Sequence, residues 1–164
     1  MYVTKRDVMY RPVVMINVRR LLEWDVSVEA LIEGSSFFFD FIVKKLLLPG
    51  KVENWIIIID LDNISLTKIP VKKVGAIITN GVRNFGARLF RNYNINASWT
   101  VRKSNQIFTA FIDDITKIKS QTFGDTYRDA IFQYIPKESI EVKYGGTRPN
   151  IKNKFFPPDM TENG

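Results

Sequence analysis

Carboxylates at two places in the sequence come nearest to a motif for acid/base or metal chemistry. Asp60 and Asp62 follow an apolar run, and Asp113 and Asp114 follow a helical pattern. Two carboxylates held together can exchange a proton with a substrate or bind a hard cation such as Mg²⁺ or Ca²⁺. These four also stand where strands and helices end, and aspartates are common there because they form turns. No loop spacing typical of a cation site accompanies them, so a structural role is favoured and no metal is expected.

The chain contains no histidine and no cysteine. A histidine-based triad, a histidine-ligated metal site and a disulfide are therefore excluded. Neither a Walker loop nor a dinucleotide-binding glycine fingerprint follows any apolar run. We expect a protein that is not an enzyme, uses no cofactor and works in an intracellular, reducing compartment.

Basic residues are the other group that could recognise a ligand, since the formal net charge is +7. This charge points to an anionic partner, either a membrane lipid or a nucleic acid. Arg88, Lys117 and Lys119 could hold an anionic headgroup, although a solvated basic surface explains them equally well. Nucleic-acid binding would require aromatic side chains interleaved with Lys and Arg on one exposed face. The aromatic residues fall instead on apolar stripes, so no nucleic-acid partner is expected.

Short apolar runs and helical patterns alternate along the chain, and they predict the elements that position these groups. The predicted strands cover 12–18, 55–61, 93–97 and 116–120, and the predicted helices cover 28–47, 71–91, 101–113 and 125–134. This alternation indicates an α/β fold in which helices pack against a sheet. A length of 164 residues favours one domain. We place that domain at residues 1–148 and a surface tail at 149–164.

Two of the predicted helices carry more apolar surface than one covered sheet face requires. The helix at 28–47 presents clustered phenylalanines, and the helix at 101–113 presents four large apolar residues near its end. An internal apolar cavity would use this surface, because small-molecule sites are mostly apolar concavities. An ordinary core is the alternative interpretation, and spacing alone favours it.

Five segments between residues 55 and 146 follow one another in a recognisable order. They are Trp55-Ile-Ile-Ile-Ile-Asp-Leu61, Arg88-Leu-Phe-Arg-Asn-Tyr-Asn-Ile-Asn-Ala97, Phe111-Ile-Asp113, Lys117-Ile118 and Lys143-Tyr-Gly-Gly146. In this order they resemble the CRAL-TRIO lipid-binding domain, the module of phosphatidylinositol- and tocopherol-transfer proteins. The similarity covers roughly residues 11–146. It implies a mixed, mainly parallel sheet that floors a deep apolar pocket, covered by helices and closed by a mobile gating helix.

The resemblance also implies that the pocket binds a lipid and exchanges it with membranes, with no bond broken. The implied pocket residues are Phe37, Phe38, Phe41, Ile57, Ile59, Ile78, Val82, Ile95 and Ala97. The helix at 101–113 matches the gate by position, and the implied gate residues are Ile107, Phe108, Phe111 and Ile112. The expected setting is cytoplasmic, at the periphery of an anionic membrane. Divergent relatives use the same fold for protein contacts, so a signalling or scaffold module with a protein partner is the alternative.

The chain departs from the family pattern at the positions implied to hold a headgroup. Ala87 stands where the family has an acidic residue of its phosphoinositide-binding set, whereas Lys117 keeps that set's basic position. The resemblance therefore does not carry phosphatidylinositol specificity to this chain, and the lipid stays open. The small helical domain that precedes the lobe in the family has no counterpart in this sequence. We expect a lone lobe or a fragment of a longer protein.

Overall fold

The chain folds around one mixed β-sheet, as a computed structural model shows. The structure describes residues 1–23, 26–65, 71–104, 109–153, 155–158 and 160. In this part of the chain the sheet has the order β1-β2-β3-β4-β5, and the strands are Tyr2–Arg6, Pro12–Asn17, Trp55–Asp60, Leu89–Ile95 and Ser120–Thr122. β1 runs antiparallel to β2, and β2 to β5 run parallel to one another. The expected α/β class with a mixed, mainly parallel sheet is confirmed.

The edge strand β1 has no counterpart among the predicted elements. It pairs with β2 through a tight hairpin, in which Tyr2 lies opposite Met15. Asp7 and Arg11 close this hairpin, because the Arg11 Nε donates a hydrogen bond to the Asp7 carboxylate at 2.7 Å and both residues are buried. Pairing with a distant partner, rather than a local pattern, makes residues 2–6 a strand.

The described α-helices, numbered along the chain, are α1 Val18–Glu23, α2 Val28–Phe41, α3 Val71–Phe85, α4 Trp99–Lys103, α5 Asp114–Lys119 and α6 Arg128–Phe132. α2 continues as a π-helical segment, Ile42–Leu46, so the helix predicted at 28–47 is present in two forms. The helix predicted at 71–91 ends earlier. Gly86–Arg88 forms a 3₁₀ turn and β4 begins directly after it.

The segment from residue 101 to 120 differs most from its predicted structure. The helix predicted at 101–113 is interrupted, because α4 ends at Lys103 and residues 110–112 form a turn. The strand predicted at 116–120 is instead the helix α5, followed by the short strand β5. The Asp113 carboxylate explains this, since it accepts a hydrogen bond from the Thr116 backbone N–H at 2.6 Å and caps α5. An aspartate ahead of a helical turn was the signal for a helix start.

Side chains of the sheet alternate between two faces, as in any strand. On one face, which we call the closed face, Ile56, Ile58 and Tyr93 are fully buried in a core that α6 and the residues after it complete. On the other face, Ile57 and Ile59 of the same strand are only partly buried. One face of the sheet is therefore filled, and the other is filled only in part, around Val14 and Trp55.

Asp60, one of the four candidate carboxylates, holds the closed face together. It accepts hydrogen bonds from the Tyr144 hydroxyl at 3.0 Å, from the Asn17 amide at 3.0 Å and from the Asn96 amide at 2.9 Å. Among the described residues, no three acidic side chains are grouped so that they could hold a metal ion. The hydrogen-bond partners of Asp60 fit the structural role that the sequence favours.

Candidate functional site

A cavity of about 580 Å³ lies between the second face of the sheet and helices α1 to α3. Ile16, Ile57 and Ile59 form part of its floor, and Leu31 and Phe38 of α2 form part of its wall. The volume falls within the range of pockets that enclose small molecules, and the lining described is mainly apolar, as in such pockets. The arrangement can take up an apolar ligand and shield it from water.

Helix α3 explains why a cavity exists here. Its apolar residues recur at intervals of three and four and so form one stripe. This stripe lines the cavity, and its residues are Val74, Ile77, Ile78, Gly81, Val82 and Phe85. Within α3 only Gly75 is fully buried. The middle of the stripe, from Ile77 to Val82, therefore faces an open volume, whereas Val74 and Phe85 at its ends pack against buried clusters.

Uncharged polar side chains interrupt the apolar floor along β4 and β5. Asn92 and Asn94 of β4 line the cavity, as do Ser120 and Thr122 of β5. The strand register places Asn92 opposite Ser120 and Asn94 opposite Thr122. The Asn92 amide donates to the Asn94 side-chain oxygen and to the Ser120 hydroxyl, both at 3.3 Å, and the Asn94 amide donates to the Thr122 hydroxyl at 3.1 Å. We call these four residues the polar strip.

Comparison with known proteins identifies the fold that builds this cavity. A family model of the CRAL/TRIO domain matches residues 1–146. The chain belongs to the CRAL/TRIO domain family. The members of this family are lipid-binding domains, and the resemblance seen in the sequence is confirmed.

Curated relatives of this CRAL/TRIO chain include two fungal proteins. The Sec14 cytosolic factor of Schizosaccharomyces pombe is 26% identical over 102 residues, which cover 59% of this chain and 35% of the relative. The SEC14 cytosolic factor of Eremothecium gossypii is 29% identical over 97 residues, which cover 58% of this chain and 32% of the relative. The matched stretches thus amount to about a third of each relative's length.

A solved structure shares the fold of the CRAL/TRIO chain. The crystal structure of Sfh5 aligns with a TM-score of 0.61 and 16% sequence identity, over 93% of this chain and 57% of that one. At this identity the likeness shows the fold alone. Within the described residues, none of the helices has the length and apolar character needed to cross a bilayer.

Most of the pocket residues implied by the resemblance line the cavity of the CRAL/TRIO chain. Those that line it are Phe37, Phe38, Ile57, Ile59, Ile78 and Val82. Ile95 does not, because β4 turns it to the closed face, where it packs in the same core as Tyr93. Ala97 lies beyond the end of β4 and is buried in a small cluster with Leu61 and Val101. The placement of Ile95 and Ala97 in the cavity wall was wrong.

Phe41 also lies outside the cavity lining, and its ring packs against the C-terminal segment. The Phe156 ring contacts Phe41, with ring centroids 4.8 Å apart, and Phe37, with centroids 5.8 Å apart. Phe156 itself lines the cavity. Ile151 and Phe155, also in the segment predicted as a surface tail (149–164), pack against the core of the closed face. Ile151 and Phe155 of this segment therefore pack onto the domain, whereas Lys152 and Asn153 between them are exposed.

The four gate residues are placed differently from one another. Ile107 and Phe108 lie outside the described residues, and Ile112 lines the cavity. Phe111 packs on α3, where a Cβ added to Gly75 would lie 2.5 Å from the Phe111 Cε1. The absence of a side chain at Gly75 therefore makes room for the ring. This glycine is not among the residues predicted from the sequence, although a glycine inside a helical pattern is a signal of close packing.

The three basic residues expected to hold a headgroup do not come together. Lys117 lines the cavity, and its ammonium group lies 2.9 Å from the Asp114 carboxylate. Arg88 pairs with Glu53 at the surface and does not line the cavity, and Lys119 does not line it either. These residues do not form one basic cluster at the cavity.

Residues on α5 present apolar side chains to the solvent beside the cavity lining. Ile115 is 67% exposed and Ile118 is 76% exposed, whereas their neighbours Thr116 and Lys117 line the cavity. Exposed apolar side chains grouped beside a cavity are typical of a surface that meets another molecule or a membrane.

Proposed function

We propose that this CRAL/TRIO domain encloses the apolar part of a lipid in its cavity and exchanges the lipid with membranes, without catalysis. The middle of the apolar stripe of α3, which faces an open volume, is the observation that carries this proposal. Each methylene group buried there would stabilise the complex by about 0.8 kcal/mol. Release then requires a second apolar phase, and a membrane supplies one.

An anionic membrane surface is the partner that the exterior supports. The net charge of +7 favours approach to acidic lipids, because basic residues near such a surface are attracted to it. Ile115 and Ile118 alternate along α5 with Lys117 and Lys119, so apolar and basic groups meet at one site. The proposed setting is the cytoplasmic surface of a membrane, in keeping with the cytosolic factors among the relatives.

The turn at residues 110–112 is proposed to be part of the closure over the cavity. Ile112 lines the cavity and Phe111 fastens the turn to α3 at Gly75. Lys117 is the basic residue best placed to meet an anionic headgroup, because it lines the cavity and remains partly exposed. Ala87 leaves no acidic group at its position, so we do not assign phosphatidylinositol as the ligand.

The alternative function, a scaffold acting through protein contacts, would be expected to have a filled pocket. An open cavity of about 580 Å³ favours lipid binding over this alternative.

Gly81 offers a direct test, because it lines the cavity and a Cβ there would meet no atom within 4 Å. A Gly81→Phe substitution is expected to fill the cavity while α3 still folds, since glycine is the poorer helix former. Lipid retained from the expression host, measured by native mass spectrometry with lipid extraction, should fall to a small fraction of the wild-type amount. Transfer of a labelled phospholipid between vesicles should fall with it.

Thr79→Phe provides the matched control, because Thr79 lies on the same helix, is exposed and does not line the cavity. This variant should retain and transfer lipid as the wild type does. Equal lipid retention in a folded Gly81→Phe variant, or wild-type protein that carries and takes up no lipid, would overturn the proposed function.

A further inference from the structure

We propose that the polar strip selects a lipid that carries a hydrogen-bond donor, such as a hydroxyl or an amide N–H, on an otherwise apolar body. This inference rests on the proposed function and adds to it the chemical class of the ligand. The donor would be received at the Asn92 side-chain oxygen.

The position of the strip within the cavity supports a role in recognition. Asn92 lies opposite Ile57 and Asn94 lies opposite Ile59 in the register of β3 and β4. Two isoleucines and two asparagines thus form one patch of the cavity floor. The strip carries no charged group, so it suits an uncharged polar group of a ligand better than a phosphate.

The hydrogen bonds of Ser120 fix which groups of the polar strip donate and which accept. The Ser120 hydroxyl donates its single proton to the Thr116 carbonyl oxygen at 2.8 Å, and a carbonyl can only accept. Ser120 must therefore accept from Asn92, and the Asn92 group that faces Ser120 at 3.3 Å is the NH₂ group. The usual ambiguity between the nitrogen and the oxygen of an asparagine amide is removed here.

The Asn92 side-chain oxygen is left without a hydrogen-bond partner in the described part of the chain, although it is buried. A buried acceptor without a partner is unfavourable, and only a donor can satisfy it. Both hydrogen bonds of the Asn92 amide are long, at 3.3 Å, so they hold the amide only weakly. Hydroxyl and amide groups of lipids supply the donor, whereas ester and ether groups do not.

The indole Nε1 of Trp55 is the other buried side-chain nitrogen or oxygen of the described residues that has no hydrogen-bond partner. Trp55 also lines the cavity, on the strand beside Asn92. This nitrogen is a donor and needs an acceptor. A hydroxyl or an amide group contains both a donor and an acceptor, so such a lipid matches the two unsatisfied atoms in kind.

Paired ligands that differ only in the donor test this inference on the full chain after removal of bound lipid. Hexadecanol and hexadecyl methyl ether share an oxygen acceptor, but only the alcohol donates. Their affinities are measured by displacement of a pyrene-labelled alkane. We expect the alcohol to bind roughly tenfold more tightly, the ratio that one net hydrogen bond supplies. The comparison is repeated for an amide donor with palmitamide and methyl palmitate. A larger alcohol-to-ether ratio of affinities would identify a hydroxyl as the preferred donor, and a larger amide-to-ester ratio would identify an amide N–H.

Asn92→Leu should remove the preference for the alcohol and leave binding of the ether unchanged or stronger. Gln121→Leu is the control, because Gln121 is exposed and does not line the cavity. This control should keep the wild-type ratio.

Equal binding of alcohol and ether, and of amide and ester, by the wild-type protein would overturn the inference without any variant. An unchanged ratio in Asn92→Leu would also overturn it. Failure of the labelled alkane to bind at all would instead count against the proposed function.

Discussion

At the scale of single residues, the buried carboxylate of Glu141 shows how polar groups are accommodated on the closed face. Glu141 is 1% exposed and accepts hydrogen bonds from the Tyr2 hydroxyl and from the Ile151 backbone N–H. Burial raises the pKa of the Tyr2 hydroxyl above its ordinary value, and the hydrogen bond to Glu141 raises that pKa further. Tyr2 therefore stays protonated and remains a donor. The contact joins β1 to a residue near the opposite end of the chain.

A Tyr2→Phe substitution tests the weight of this contact. The Glu141 carboxylate would lose a donor inside the protein, so the free energy of unfolding should fall by about 1–3 kcal/mol. Urea denaturation of both proteins measures the difference. Tyr10→Phe is the control. Tyr10 is 54% exposed, so loss of its hydroxyl group should change the free energy of unfolding little. Equal stability of the Tyr2→Phe variant and the wild type would show that the contact contributes nothing.

At the scale of elements, the contact between Phe111 and Gly75 joins the turn at 110–112 to α3. A methyl group at position 75 would lie 2.5 Å from one ring carbon of Phe111 and 2.6 Å from another. Such distances are far inside van der Waals contact, so either the ring or α3 would have to move. Under the proposed closure, the turn would keep this position over the cavity because position 75 lacks a side chain.

A Gly75→Ala substitution should therefore open the closure. Alanine favours a helix over glycine by about 1 kcal/mol, so any loss would come from the clash rather than from α3 itself. We expect labelled lipid to leave the protein several-fold faster, as measured by stopped-flow transfer to acceptor vesicles. Thr79→Ala, on the exposed side of the same helix, should leave the rate unchanged. A Gly75→Ala variant that releases lipid at the wild-type rate would contradict a role of this contact in closure.

At the scale of the whole molecule, charge and exposed apolar groups together predict how the protein would bind a membrane under the proposed function. The net charge of +7 would attract the protein to an anionic surface, and salt screens this attraction. The screening length falls from about 10 Å at 0.1 M to about 3 Å at 1 M ionic strength. Insertion of Ile118, in contrast, depends on apolar area and should resist salt. The two contributions can therefore be separated.

Vesicle co-sedimentation tests this separation. Binding to vesicles that contain phosphatidylserine should weaken as salt is raised, and Ile118→Ser should weaken it several-fold at every salt concentration. Val142→Ser is the matched control. Val142 is also an exposed apolar residue, at 57%, but it belongs to the 3₁₀ turn Val142–Tyr144 and not to α5. Equal loss of binding in both variants would show that α5 is not the membrane-facing surface.

Much of the architecture follows from local patterns in the sequence. The apolar runs at β2 and β3 and the stripe of α3 are properties of neighbouring residues, and they predict elements that the structure contains. The order of the segments was enough to indicate the family. The clustered phenylalanines of the helix at 28–47 also pointed to apolar surface beyond the need of one sheet face, and Phe37 and Phe38 of this cluster line the cavity.

What only the tertiary structure decided is which side of each strand faces the cavity. A strand buried in a parallel sheet is apolar on both faces, so the sequence of β3 does not distinguish Ile57 from Ile58. Shifting a strand by one residue exchanges its two faces, and the register depends on partners far along the chain. This register turned Ile95 to the closed core and Asn92 and Asn94 to the cavity. The sequence by itself determined the α/β class and, through its resemblance to the CRAL-TRIO family, predicted an apolar pocket, whereas the packing of distant segments decided which residues line it.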